Sequence, residues 1–369
     1  MISRRSALTL AGGSLVSAFS FFAAKASSGG GGRAVPSRGF NLPSWLDREE
    51  GIVPDEAVLE KLHRIGFETI RVPVNADLIL SDERNTLGRI HDGVGKLIGH
   101  GFAVLVDMHP SGNLHAAFQH DPASAAERVA RAWTALRTVI ADLPAGSVYP
   151  ELLNEPPMTQ ATWLPLRDRL AEIISAKCPL HTLVWGPARF QGIWELNSAP
   201  PLAIDRQIAA IHYYSPMAFT HQCENWDRSP LSRISNLPFP ATRDTPSVRA
   251  LVEKLRTGGD EEAAHLVEEE LSAPWTAGRI AADFSGAAQW SAAHHCSIIL
   301  DEFGVLDFCV DAKSRAAWVR AVREAAEANH MGWAYWELDQ GFGFIHSRSS
   351  TDGFDRSMID ALLGRGGEN

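Results

Sequence analysis

Eight short apolar runs, several of them rich in β-branched residues and most followed by a longer amphipathic stretch, recur along this chain. Strands buried on both faces read as near-continuous hydrophobic runs, and their alternation with helices is the pattern of a parallel sheet. The runs are Gly39–Leu42, Thr69–Pro73, Phe102–Met108, Val148–Asn154, Thr182–Trp185, Ile208–His212, Ser297–Asp301 and Trp333–Glu337. Helices are predicted between them, for example over Asp55–Ile65, where Pro54-Asp55 is a start signal, and over Ala123–Ile140 and Ser314–Asn329. Eight such units close naturally into a single-domain α/β fold, a (β/α)8 TIM barrel, here expected over residues 37–365. The 369 residues exceed the roughly 250 that a barrel needs. One stretch breaks the rhythm: roughly 85 residues separate His212 from Ile298, far more than one loop and one helix require. It holds Phe219-Thr220-His221-Gln222, Trp226, a Pro-rich patch at Pro238–Pro240 and two charged helical segments near Val248–Arg256 and Glu261–Leu271. An expansion after the sixth strand of a barrel is expected to wall the substrate site.

The ends bound the setting. Ser3-Arg4-Arg5-Ser6, an apolar stretch from Ala7 to Ala24 and the small-x-small sequence Ala24-Lys25-Ala26 predict an export signal over residues 1–26. The paired arginines favour the twin-arginine route over an ordinary secretory signal, and place the mature protein in the periplasm or outside a bacterial cell. Residues 27–36 read as a Gly/Ser linker. Loss of Arg4, Arg5 and Lys25 would take the net charge from −10 to −13, and no basic run lies beyond the leader, so nucleic acid is an unfavoured partner. No other run approaches the roughly 20 apolar residues of a membrane span. Cys178, Cys223, Cys296 and Cys309 show no C-x-x-C spacing, which argues against zinc. In an exported protein they could pair in three ways or stay as buried thiols. Eleven Trp against four Tyr suits a protein that stacks sugar rings, and equally one with a Trp-rich core.

The chemistry concentrates at strand ends. Leu153-Asn154-Glu155-Pro156 ends the fourth run and Ile299–Gly304, with Asp301-Glu302, ends the seventh. Carboxylates there face the mouth of a barrel. Two of them across one mouth are what a retaining glycosidase needs, at a separation of about 5–5.5 Å. Arg71 ends the second run and could hold a carboxylate ionised. His109, His212, Tyr214 and Trp336 fall at or just beyond the third, sixth and eighth run ends, and Trp336 is a candidate sugar platform. Trp45 and Trp226 are weaker platform candidates.

Taken in order, Arg71-Val-Pro73, Asp107-Met-His109, Asn154-Glu155-Pro156, His212-Tyr213-Tyr214, Glu302-Phe-Gly304 and Trp336 resemble glycoside hydrolase family 5, the cellulase-like barrels. The resemblance spans about Ser37 to Leu363. It implies that Glu155 is the acid/base and Glu302 the nucleophile. It also implies that Arg71, His109, Asn154, His212, Tyr214 and Trp336 shape the site of the sugar being cleaved. No cofactor or metal is implied, and the expected partner is a polysaccharide or oligosaccharide bound by a monomer. His212–Gln222 with Trp226 nearby, and Tyr335-Trp336-Glu337 followed by Gly341-Phe342-Gly343, are similar to bacterial members that act as cellulases or β-glucanases. A β-1,4-linked glucan or a glucan-backbone exopolysaccharide is thus the expected substrate, with β-mannan as the alternative. Two departures stand out. Gly-Ala is expected after His221-Gln222, where this chain has Cys223-Glu224, and Tyr-Asp after Gly341–Gly343, where it has Phe344-Ile345-His346. Both fall in loops expected to touch substrate.

Two rivals follow from the same residues. His109, His115, His212 and Asp301 could ligate a metal in a metal-dependent barrel hydrolase, but the first strand lacks His-x-His and the fourth and fifth offer no bridging Lys or ligand His. A non-catalytic barrel could bind glycan through Trp45, Trp226 and Trp336, and the intact Glu pair argues against it.

Overall fold

A computed structural model describes residues 35–365, so the predicted export signal and most of the linker lie outside the described residues. Eight parallel strands form one closed barrel in sequence order. They are β1 (Gly39–Asn41), β2 (Thr69–Val74), β3 (Ala103–Met108), β4 (Val148–Glu151), β5 (Leu183–Trp185), β6 (Gln207–Tyr213), β7 (Ser297–Phe303) and β8 (Gly332–Tyr335). Every predicted run overlaps its strand, and the ends differ by at most three residues. The predicted helices appear as Glu56–Arg64, Pro122–Ile140 and Ala312–Ala328. Their starts are written in the sequence: Asp121 and Asp311 accept hydrogen bonds from the backbone N–H groups of Ser124 and Ser314, and Pro122 sits in the first turn.

Packing separates two apolar regions. The larger lies between the barrel and its helices; a small one of Leu105, Tyr149, Val184, Ile208, Ala210 and Ile299 fills the barrel. The period-2 alternation of strands then dictates the layer above. Two residues beyond Leu105, Tyr149, Ala210 and Ile299 come Asp107, Glu151, His212 and Asp301, all buried. Arg71 on β2 pairs in register with Leu105 and Asn41, and joins this layer. The barrel is therefore plugged with aliphatic side chains below and a polar cluster at its C-terminal mouth.

The Trp excess is mainly structural. Trp133, Trp163, Trp185, Trp318 and Trp333 are fully buried, and Trp45, Trp275 and Trp290 nearly so. Trp133 and Trp163 donate their indole N–H groups to the carbonyls of Leu152 and Gly186, tying helices to the strand ends that carry the site. Trp45 is 5% exposed and packs beside Leu46 over Gly93, so it is core and not a sugar platform. Likewise Phe344 is buried and stacks on Phe67, and the exposed His346 lies against Gly353, away from the cleft. That departure from the family pattern replaces a loop contact with core.

The expansion after β6 folds as expected into Pro246–Thr257 and Glu261–Glu270 plus connecting loops. The cysteines divide between the two expectations: Cys223 bonds to Cys309, while Cys178 and Cys296 are buried free thiols. Cys223 has φ +58°, a left-handed conformation that glycine takes readily and cysteine does not. The cross-link thus occupies the position where the family resemblance leads one to expect glycine. No helix among the described residues is long and apolar enough to cross a membrane.

Candidate active site

Arg71 organises the mouth. It lies three residues before the end of β2, not at its tip, and is completely buried. Its Nε and one Nη grip both oxygens of Glu151 at 2.7 and 2.8 Å, and the same Nη reaches Asn154 Oδ1 at 2.8 Å. The other Nη donates to Asn41 Oδ1 at 3.0 Å and to Glu302 Oε1 at 2.5 Å. A guanidinium fork with its donors occupied this way is rigid as well as charged. Asp107 lies 3.1 Å away on the same cation and also holds His109 Nδ1 at 2.8 Å.

Glu302, 4% exposed, takes a second hydrogen bond from the Tyr214 hydroxyl at 3.0 Å, and His212 Nδ1 stands 3.5 Å off. Glu155 lies in the turn beyond β4 with φ +44°. One of its oxygens faces His212 Nδ1 at 3.0 Å. On the far side of that ring Nε2 is 3.4 Å from Asp301 Oδ1. Asp301 and Glu302 both reach His212 because the β6–β7 register shifts between Ile211 and His212. A regular strand would send consecutive side chains to opposite faces.

One oxygen each of Glu155 and Glu302, together with a nitrogen of His212, lie within 4.8 Å of one another. That is close to the about 5–5.5 Å of retaining glycosidases and well short of the about 6.5–9.5 Å of inverting ones. Asn154 Nδ2 is 3.4 Å from His109 Nε2, and the His109 ring stacks on Trp336, centroids 5.8 Å apart.

Burial sets the electrostatics. It pushes Glu302 above the usual carboxylate range; the cations of His212 and Arg71 oppose this, and the charge of Glu155 adds to it. For Glu155 burial also acts upward, but the hydrogen bond and charge of His212 prevail and hold it low. His212 itself is driven well above the ordinary imidazole value: burial works against its charge, and Glu302, Asp301 and Glu155 outweigh burial. Burial raises the Tyr214 phenol, with Glu302 and Glu155 adding to it, so it remains a neutral donor. The Glu155–His212–Glu302 cluster thus shares protons as a unit.

The predicted residues His109, Asn154, Glu155, His212, Tyr214, Trp226, Glu302 and Trp336 all line one cleft of about 670 Å³. Trp226 is 57% exposed there, as a platform requires. An adjoining hollow of about 400 Å³, lined by Ser44, Asp47, Arg48, Phe308, Glu337 and Gln340, shares His109, Trp226, Trp336 and Phe342 with it, so the two make one groove. Sequence reading missed Asn41, Glu151 and Gln191 beneath the site, and Phe190, Trp194, His221 and Glu337 along it. Glu151 could have been found by counting two residues beyond inward-facing Tyr149; Gln191, in an irregular loop, had no such signal.

A closed parallel barrel that sets two carboxylates across one sugar-sized groove at its C-terminal mouth is the architecture of a glycoside hydrolase. The description of one family, Cellulase (glycosyl hydrolase family 5), matches residues 29–341, and the chain belongs to that family. Endoglucanase 3 of Fibrobacter succinogenes is 24% identical over 361 residues, covering 87% of this chain and 52% of the relative, so the chain spans about half the length of that protein. Among solved structures, the cellulose synthase subunit Z of Clostridioides difficile superposes with a TM-score of 0.71 at 23% identity, covering 88% of this chain and 98% of that one. Thermotoga maritima Cel5A in complex with mannotriose gives 0.70 at 21% identity, covering 89% and 98%. At these identities the structural likeness establishes the barrel.

Proposed function

We propose that this protein is a retaining β-glycanase that cleaves β-1,4-linked glucan, with Glu302 as nucleophile and Glu155 as acid/base. The observation that carries this is the short separation of the two carboxylates, within 4.8 Å, with Glu302 held by Arg71 and Tyr214 and Glu155, paired with His212, lining the cleft. In the first step a Glu302 oxygen bonds to the anomeric carbon as the glycosidic C–O bond breaks, and Glu155 gives its proton to the leaving oxygen. In the second, Glu155 takes a proton from water, which displaces Glu302 with net retention.

His212 holds the Glu155 carboxyl below its usual range, and the surrounding carboxylates hold the His212 imidazole well above its own, so the pair is set to exchange a proton. Movement along their 3.0 Å hydrogen bond converts an ion pair into a neutral pair and arms Glu155. A sugar that excludes water favours that shift, because burial penalises the charged form. Asn154, with Oδ1 tied to Arg71, presents its amide N–H to the sugar 2-hydroxyl. Trp336 and Trp226 offer faces for the pyranose rings. Glucan is favoured over mannan because the curated relative is an endoglucanase. Export is supported by the Cys223–Cys309 bond, since disulfides persist in oxidising compartments.

Glu302→Gly with azide tests the roles. Recovery of an inverted glycosyl azide from an activated cellobioside is expected; undiminished hydrolysis by this variant would reject the nucleophile. A panel of cellulose, mixed-linkage glucan and mannan with product sizing tests the substrate, and activity is expected to survive a chelator.

A further inference from the structure

The loop after β5 carries three consecutive left-handed residues without a glycine among them, Arg189, Phe190 and Gln191, with φ between 54° and 64°. Such a run is rare and persists only where its surroundings enforce it. Several contacts do. Gly186 has no side chain, and a Cβ there would stand 2.1 Å from Gln191 Cγ. The carbonyl of Gly186 is held by the Trp163 indole, and Phe190 N–H donates to Pro156 O at 3.4 Å. The result is that Gln191 is delivered, wholly buried, to the base of the site.

There it touches both partners of the acid step. Its side-chain Oε1 accepts the backbone N–H of Glu155 at 2.6 Å, and its backbone carbonyl accepts the N–H of His212 at 2.8 Å. Glu155 is itself left-handed and so is not held in place by its own conformational preference. Its described side-chain hydrogen bond runs to His212. One buried residue therefore sets the separation across which the proton passes.

We propose that Gln191 is a positioning residue for protonation of the leaving group, holding Glu155 and His212 in register through its side-chain and main-chain carbonyls. The proposal rests on the assignment of Glu155 as acid/base. It predicts a selective defect. A dinitrophenolate leaves without a proton, whereas a sugar or a simple phenol needs one. For Gln191→Ala, kcat/KM on a cello-oligosaccharide falls about tenfold to a hundredfold, while kcat/KM on 2,4-dinitrophenyl β-cellobioside stays within about threefold of the native value. Gln191→Glu, which keeps an acceptor oxygen at the same reach, restores most of the lost rate. Gly186→Ala, which pushes Gln191 from outside the site, reproduces the defect. Should the alanine variant not fold, Gln191→Asn, one methylene too short to reach Glu155, gives the same pattern. Equal losses on both substrates would mean that Gln191 only supports the loop, and would overturn the proposal. Glu155→Ala is the control. If it lacks leaving-group dependence, the acid/base assignment falls; if it shows it and Gln191→Ala does not, the positioning role alone falls.

Discussion

Removing the Cys223–Cys309 bond gives a prediction whose size follows from the chain. The two cysteines lie 86 residues apart, one after β6 and the other after β7. Closing a loop of that length in the unfolded chain costs about 4.6 kcal/mol at 25 °C in the chain-entropy treatment, against a usual range of about 2–4 kcal/mol for disulfides. A domain of this size unfolds with an entropy of about 0.7 kcal/mol per kelvin, so the loss corresponds to roughly 3–7 °C in Tm. The local structure adds a functional consequence. Glu224, buried beside Cys223, accepts from the backbone N–H of Trp226 at 3.0 Å and from the Ser229 hydroxyl at 2.7 Å. Phe308, beside Cys309, lines the same groove as Trp226. The bond therefore fixes two aromatic walls relative to each other. The double variant Cys223→Ser/Cys309→Ser is expected to lose 3–7 °C in calorimetry. Its KM on a long glucan should rise severalfold, with kcat on a short activated cellobioside little changed. A thiol titration of the denatured, unreduced native chain should find two free thiols, those of Cys178 and Cys296. Four free thiols, or a double variant that melts with the native protein and binds long glucan as well, would refute the reasoning.

Burial pushes the Glu337 carboxyl up to about 8, with the charge of Asp339 adding to it and the Phe342 N–H and Arg348 opposing. A carboxyl raised on folding stabilises the protein below its unfolded pKa, and that contribution is lost as pH climbs from about 4.5 to about 8. Glu337→Gln should therefore flatten the fall in denaturation midpoint across that window and leave the protein more stable than native at pH 8; parallel pH curves would contradict it. Trp45 and Trp226 should part company. Trp226→Ala should raise KM on glucans about fivefold, the worth of about 1 kcal/mol of ring contact, with Tm unchanged. Trp45→Ala should cost about 3–5 kcal/mol of stability and leave KM alone, and the opposite pattern would reverse their assignments.

The barrel was legible because strands buried on both faces are near-continuously apolar, and runs such as FAVLVDM at 102–108 and SIILD at 297–301, alternating with helical stretches, fit that pattern. The cleft's carboxylates were legible because the mouth is where such runs end. Asp301 and Glu302 are neighbours, and a regular strand would turn one of them away; the register shift at Ile211/His212 lets both face His212. Glu151 looks like a strand residue that should be apolar, yet Arg71 makes its burial tolerable through two hydrogen bonds. Trp45 and Trp226 are the same side chain in equally irregular segments, and only the packing over Gly93 separates core from platform. From sequence, Cys223 in place of the expected glycine predicts an altered substrate contact. Instead a left-handed position suited to glycine is held by a covalent bond, and the loop keeps its shape by another route. In each case the sequence exposes what a residue can do, while the partner that decides what it does lies tens to hundreds of residues away. Arg71 is the extreme: its contacts with Asn41, Glu151, Asn154 and Glu302 reach across as many as 231 positions. A change at Asn41 or Glu151 alters the surroundings of Glu302 through Arg71 without reaching the proposed sugar site.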